Sequence, residues 1–172
     1  MSYASFGSGS ASHFLGYKLN ERLGLDMMHV AFKGSAPQVQ SLLGGHVLLG
    51  FSQIQAGLLH LPAGKLNAIA TTGAARWRQL GAVPTFAELG YPEFTATIWF
   101  GLVARAGTPA DILAKLIDAA KAAHTEPAVR ARLEQMGFDV PVQTGADFTA
   151  SLRAAQERWA EVVKAIGFRA AN

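Results

Sequence analysis

The chain has 172 residues, 50% of them hydrophobic and only 16% charged, with 15 basic and 12 acidic side chains (net charge +3) and no cysteine. That length suits one ordinary domain or two small lobes around a real core, and the apolar half argues against disorder. No run reaches the ~20 apolar residues of a membrane span, and without cysteine there is no disulfide framework or Cys-ligated zinc or iron–sulfur site.

In chain order, short strands alternate with helices. Residues 2–6 read as a strand, followed by the loop Gly7-Ser8-Gly9-Ser10 and a helix over 10–23. Leu15, Leu19 and Leu23 share one face of that helix, and Gly24 stops it. A strand over 28–32 leads through Lys33-Gly34-Ser35-Ala36-Pro37, with Ser35 as the expected N-cap and Pro37 in the first turn, to a helix ending at Gly44-Gly45. A strand over 46–51, a short helix over 55–61 and a strand over 66–71 follow. Residues 72–93 read as irregular, with one short helix at 86–89. Residues 95–104 read as a long strand rich in β-branched and aromatic residues.

Past Gly107-Thr108-Pro109 the pattern turns helical. Ile112, Leu113, Leu116, Ile117 and Ala120 form an apolar stripe. A second helix starts at Glu126-Pro127, a strand covers 138–142, and Thr144 caps a last helix striped by Phe148, Leu152, Ala155, Trp159, Val162 and Ile166. Strands alternating with helices predict an α/β fold with a parallel sheet.

Three strand-to-helix corners carry the candidate chemistry. At Gly7, Ser8, Gly9, Ser10 and Ser12, glycines let the backbone approach a ligand while hydroxyls and a helix N-terminus offer donors to a carboxylate or phosphate. Lys33, Gly34, Ser35 and Ala36 make a second such corner, and Ser52-Gln53 follow the third strand. In open α/β sheets ligands sit outside the carboxyl ends of the strands, so the three together predict a polar pocket.

Catalytic patterns are weak. Gly7-Ser8-Gly9 supplies neither G-x-S-x-G nor a complete G-x-G-x-x-G. His13, His29, His46, His60 and His124 lack metal-ligand spacing and read as ordinary surface or strand-end histidines. Basic residues are scattered, with no stripe suited to nucleic acid. Trp99, Phe100 and Trp159 read as core.

The stretch Tyr3-Ala4-Ser5-Phe6-Gly7-Ser8-Gly9-Ser10-Ala11-Ser12-His13 resembles the strand and Gly/Ser loop of the tripartite tricarboxylate transporter substrate-binding proteins, the Bug receptors. His29-Val30-Ala31-Phe32-Lys33-Gly34-Ser35-Ala36-Pro37, Leu42-Leu43-Gly44-Gly45-His46-Val47, Val83-Pro84-Thr85-Phe86-Ala87-Glu88-Leu89-Gly90, Trp99-Phe100-Gly101-Leu102 and Ala106-Gly107-Thr108-Pro109 follow in family order. The resemblance runs along essentially the entire chain.

It implies a periplasmic-binding-protein type II-like α/β fold, present as one nearly complete lobe plus the returning carboxyl-terminal segment of the other. Residues 1–97 would be the second ligand-binding lobe, and 98–172 the crossing strand and carboxyl-terminal segment of the first. The implied function is an extracytoplasmic receptor that captures a small organic anion, a carboxylate, in an interlobe cleft for membrane subunits of a tripartite tricarboxylate-type transporter. It implies a periplasmic location, although the first six residues do not read as a secretory signal. No enzyme chemistry, cofactor, metal or nucleic-acid partner is implied.

The ligand-binding set carried over is Gly7, Ser8, Gly9, Ser10, Ser12, Lys33, Gly34, Ser35, Ala36, Ser52, Gln53 and Trp99. At Ser52 many relatives carry Asp, so the charge that would meet a ligand amino group is absent here. The alternative is an α/β enzyme using Gly7–Ser12 to hold a phosphorylated substrate or cofactor. If part of the first lobe is not in this chain, an exposed apolar patch is expected around Ile112, Leu116, Phe138 and Val140.

Overall fold

The computed structural model describes residues 1–141 and 143–169. They form two compact units: Met1–Trp99 with the described residues from Trp159 onward, and Phe100–Arg158. The sequence-based division at 97/98 differs from this grouping at the carboxyl end, because Trp159 packs with Phe14 (ring centroids 5.6 Å apart) and with the core of the first unit.

In the first unit, β1 (Ser2–Ser5), β2 (Met28–Ala31) and β3 (Leu49–Gly50) form a parallel sheet in the order β2-β1-β3. Helix α1 (Ala11–Leu23) connects β1 to β2, and α2 (Ser35–Leu43) connects β2 to β3. The parallel α/β expectation holds. The middle strand is the buried one, with Tyr3, Ala4 and Ser5 all inside. Helix α1 ends at Gly24, whose φ of 60° is the left-handed turn that glycine accepts most readily. Gly16 has a different role. A Cβ there would lie 2.0 Å from the Tyr3 ring, so the bare glycine lets α1 settle on β1.

Leu15 of α1 packs with Phe94 and Ala96, and Leu19, Phe51, Phe86, Tyr91 and Trp159 close around them. Phe94 is fully buried; removing a side chain of this size from water is worth roughly 1.5–3 kcal/mol. It arrives on a single 3-10 turn, Pro92–Phe94, fastened to α1. Lys18 Nζ donates to the Glu93 carbonyl at 2.6 Å, and Arg22 pairs with the Glu93 carboxylate at 3.1 Å.

Several expected elements contract. The strand over 46–51 is reduced to Leu49–Gly50, and the helix over 55–61 to α3 (Ile54–Gly57). Residues 66–71 form no strand; Thr71 makes one parallel bridge, to Thr85. The helix expected at 86–89 is a turn. Residues 95–104 also form no strand, and Trp99 (51% exposed) and Phe100 (70%) are not core. The physical reason is that β-propensity measures fit to a pleated, half-buried surface. Among the described residues no strand lies alongside this segment to supply one.

In the second unit, α4 (Ala110–Thr125) and α5 (Pro127–Gln135) begin at the expected prolines; α6 (Gly145–Ala165) begins just after Thr144, and its residues from Trp159 belong to the first unit. Residues 138–141 are not a strand, and Val142 lies outside the described residues. Phe100 meets Phe138 edge-on at 5.5 Å, and His124 Nε2 lies 3.0 Å from the Val140 carbonyl. No residue of α4 or α5 is buried. Ile112 and Leu116 are exposed as expected, whereas Phe138 and Val140 are half-buried. No described helix is long and apolar enough to cross a membrane.

Candidate functional site

The strand order reverses beside β1. The chain steps from β1 to β2 on one side, then returns past β1 to β3 on the other. Loops leaving β1 and β3 therefore diverge and open a crevice at their carboxyl ends, the usual ligand position in such sheets.

Hydrogen bonds draw the three predicted corners together there. Gly34 N–H donates to the Phe6 carbonyl at 3.0 Å, joining the loops after β2 and β1. Ser35 Oγ donates to Gln53 Oε1 at 2.7 Å, joining the start of α2 to the loop after β3. Gln38, fully buried, uses Nε2 twice, toward the Ala4 carbonyl (3.0 Å) and the Phe51 carbonyl (2.8 Å), and so spans the crevice itself. Gly50 makes room for it: a Cβ there would lie 3.1 Å from both Gln38 Nε2 and the Ala4 carbonyl.

The corner after β1 is largely satisfied from within. Ser10 caps α1, its Oγ accepting from His13 N–H, and reaches the Gly7 carbonyl at 2.6 Å and Ser12 Oγ at 2.8 Å. Ser12, 1% exposed, accepts from Phe6 N–H. Gly9 N–H donates to His13 Nδ1 at 3.1 Å, and Ser10 N–H to the Gly7 carbonyl. Ser12 thus holds the loop in shape, while Ser8 presents its side chain to solvent.

The corner after β2 differs. The N-cap of α2 is Gly34 (φ 109°), not Ser35, and no side chain caps the helix. Ser35 is already the first residue of the helix, one position past the cap, and its hydroxyl goes to Gln53 instead. The N–H groups of Ser35 and Ala36 therefore open α2 without a side-chain acceptor, beside exposed Lys33. Ser52 is exposed and Gln53 half-buried at the third corner; Trp99 stands on the extended segment beyond Ala96.

Sequence reading missed Gln38, Ser5 and the histidine pair. The rings of His13 and His29 stack 3.8 Å apart at 7°, and Tyr3 stacks on His29 at 5.0 Å. Ser5 Oγ lies 2.7 Å from His29 Nε2. Burial lowers His13, and burial together with the neighbouring His13 lowers His29 to about 4. Ser5 is wholly buried, so this Ser–His contact offers no accessible nucleophile. Among the described residues no cluster of three or more His, Asp or Glu could hold a metal. An open groove of about 470 Å³ on α6, lined by Ala146, Thr149, Ala150, Arg153, Ala154 and Glu157, is the work of one helix and brings no second element to a ligand.

Solved structures share this architecture. A periplasmic binding protein, BugD, superposes with a TM-score of 0.85 at 34% identity, over 97% of this chain and 56% of its own. A protein from R. palustris solved with adipate gives 0.87 at 29%, over 97% and 56%. MatC from Rhodopseudomonas palustris, solved with bound malate, gives 0.84 at 33%, over 95% and 56%. The fold is the α/β fold of periplasmic binding proteins. BugT of Bordetella pertussis is 37% identical over 160 residues, 92% of this chain and 49% of BugT. The profile of the Tripartite tricarboxylate transporter family receptor matches residues 1–168, and the chain belongs to that family. It spans about half the length of BugT and of two further relatives it matches.

Proposed function

We propose that the chain is the part of an extracytoplasmic, periplasmic receptor that contributes one wall of a binding cleft for a small organic anion. The ligand class is a carboxylate, by analogy with relatives solved with adipate and malate. Residues 1–97 act as one lobe, and 98–172 carry the crossing segment and a portion of the other, with Trp159 packing back against the first. The receptor hands its ligand to membrane subunits of a tripartite tricarboxylate-type transporter and performs no reaction of its own.

The observation that carries this reading is the convergence of three polar corners at the β1/β3 crevice, with α2 opening uncapped beside Lys33. Backbone N–H groups, a lysine and hydroxyls hold a carboxylate by charge-assisted bonds without any catalytic base. A phosphate cradle at Gly7–Ser12 is less favoured, because Gly9 N–H, Ser10 N–H and the Ser12 hydroxyl are already engaged within the loop.

Closure of a two-lobed receptor needs contacts that are stronger in the closed state than in the open one. One wall alone supplies only some of them, so this chain by itself binds weakly. The test is a thermal-shift screen of organic acids on the chain joined to the preceding half of a receptor of the length seen in its relatives. A di- or tricarboxylate that raises the melting temperature supports the reading. Stabilisation by phosphorylated compounds alone would overturn it in favour of the enzyme alternative.

A further inference from the structure

Gly9 N–H needs an unprotonated nitrogen at His13 Nδ1, 3.1 Å away, so the neutral ring carries its proton on Nε2. The second histidine holds the other end of the same loop. Ser5 Oγ lies 2.7 Å from His29 Nε2, donates to the Gly7 carbonyl at 3.1 Å and accepts from Gly7 N–H at 3.3 Å. With His29 donating through Nε2–H, every one of these bonds has one donor and one acceptor. The two imidazoles stack face to face at 3.8 Å, so two positive charges there would repel each other strongly.

We propose that His13 and His29 are positioning residues of the Gly7–Ser10 loop, neutral in the form that receives ligand, and that protonation of His13 releases the Gly9 amide while the Ser5, Ser10 and Ser12 bonds keep the rest of the loop in place. Protonated Nδ1–H would face Gly9 N–H, donor against donor, and the new charge would lie against the His29 ring. The groups packed on the pair are Tyr3 from β1, Phe14 from α1 and Phe168 after α6. Tyr3 is the titratable one among them; its hydroxyl donates to the His13 carbonyl at 3.3 Å, and burial pushes it up to about 12, so it stays neutral through the acid range. Among the described residues neither ring bonds to a carboxylate or an ammonium group. Burial lowers both imidazoles, as a pair built to remain neutral requires.

The link to ligand capture rests on the receptor reading, but the release of Gly9 is a property of this chain and is measured without ligand. In the ¹⁵N-labelled chain, the Gly9 amide and the His13 ring nitrogens are followed from about pH 8 to about pH 4. The expected result is His13 as the Nε2–H tautomer at high pH. The Gly9 shift then moves with the same midpoint as His13, and Gly9 amide protection falls about tenfold, as for loss of one hydrogen bond. His13→Asn, whose Oδ1 replaces Nδ1 as an acceptor that does not titrate, is expected to keep Gly9 protected and flatten its pH profile. The Nδ1–H tautomer, a Gly9 amide that ignores His13, or a wild-type pH profile in H13N would each overturn the proposal. A failure here leaves the carboxylate screen untouched, and a failed screen leaves this titration untouched.

Discussion

Ser35 gives its hydroxyl to Gln53 Oε1 at 2.7 Å, at the start of a helix whose N-cap, Gly34, has no side chain to cap it. A residue expected to satisfy the start of a helix is spent on joining two strand-end loops. Ser35→Ala is expected to cost about 1 kcal/mol, the net worth of one hydrogen bond. Urea unfolding checks the stability, and the Gln53 side-chain amide signals report whether the loop after β3 comes loose. Unchanged stability together with unmoved Gln53 signals would show that the bond does not form in solution.

Gln38 is the mechanical link across the crevice, because both Nε2 hydrogens are used on carbonyls at the ends of β1 and β3. Gln38→Ala strands two acceptors at about 1–3 kcal/mol for each one that water cannot reach. A loss of at least about 2 kcal/mol in urea unfolding is expected. Gln38→Glu is expected to be worse, since a carboxylate would face two carbonyl oxygens. Wild-type stability in both variants would contradict the geometry.

Stability also depends on pH through the stacked histidines. Both imidazoles are lowered in the folded protein, His29 to about 4, against an ordinary value of 6.5. The unfolded chain therefore binds more protons between 6.5 and about 4, and stability falls as pH falls through that window. His29→Gln keeps a group that can reach Ser5 without titrating. It is expected to flatten the decline, as read from melting temperatures taken every half unit. An equally steep decline in H29Q would assign it to other groups.

The apolar stripe of α4 makes a different prediction. Ile112 and Leu116 are 41% and 53% exposed. Replacing both with Lys is expected to change stability by less than about 0.5 kcal/mol, as for surface sites. It should also reduce binding of a hydrophobic dye such as ANS. A loss of several kcal/mol would mean that the two side chains are packed in solution.

What the sequence made legible was local chemistry. Gly24, Pro109 and Pro127 mark helix ends because proline fixes its own φ and glycine accepts the left-handed turn that stops a helix. The parallel sheet was readable from alternation, and the three corners from glycine and serine placed after strands. The contracted strands were not, since Leu49–Gly50 and residues 95–104 depend on what lies beside them rather than on their own propensity. Gln38 escaped notice because a glutamine on a helix ordinarily faces solvent; its role comes from the approach of Ala4 and Phe51, far apart in sequence. Gly16 could have been found, because a lone glycine inside an otherwise good helix pattern signals close packing.

On the receptor reading, the corners at 7–10, 33–36 and 52–53 form one wall of a carboxylate cleft. Titrating the ¹⁵N-labelled chain with malate while recording amide shifts tests it most directly. Weak, saturable shifts gathered on Ser8, Lys33, Ser35, Ala36 and Gln53 are expected. Shifts confined to α4–α6, or micromolar binding by this chain alone, would contradict it.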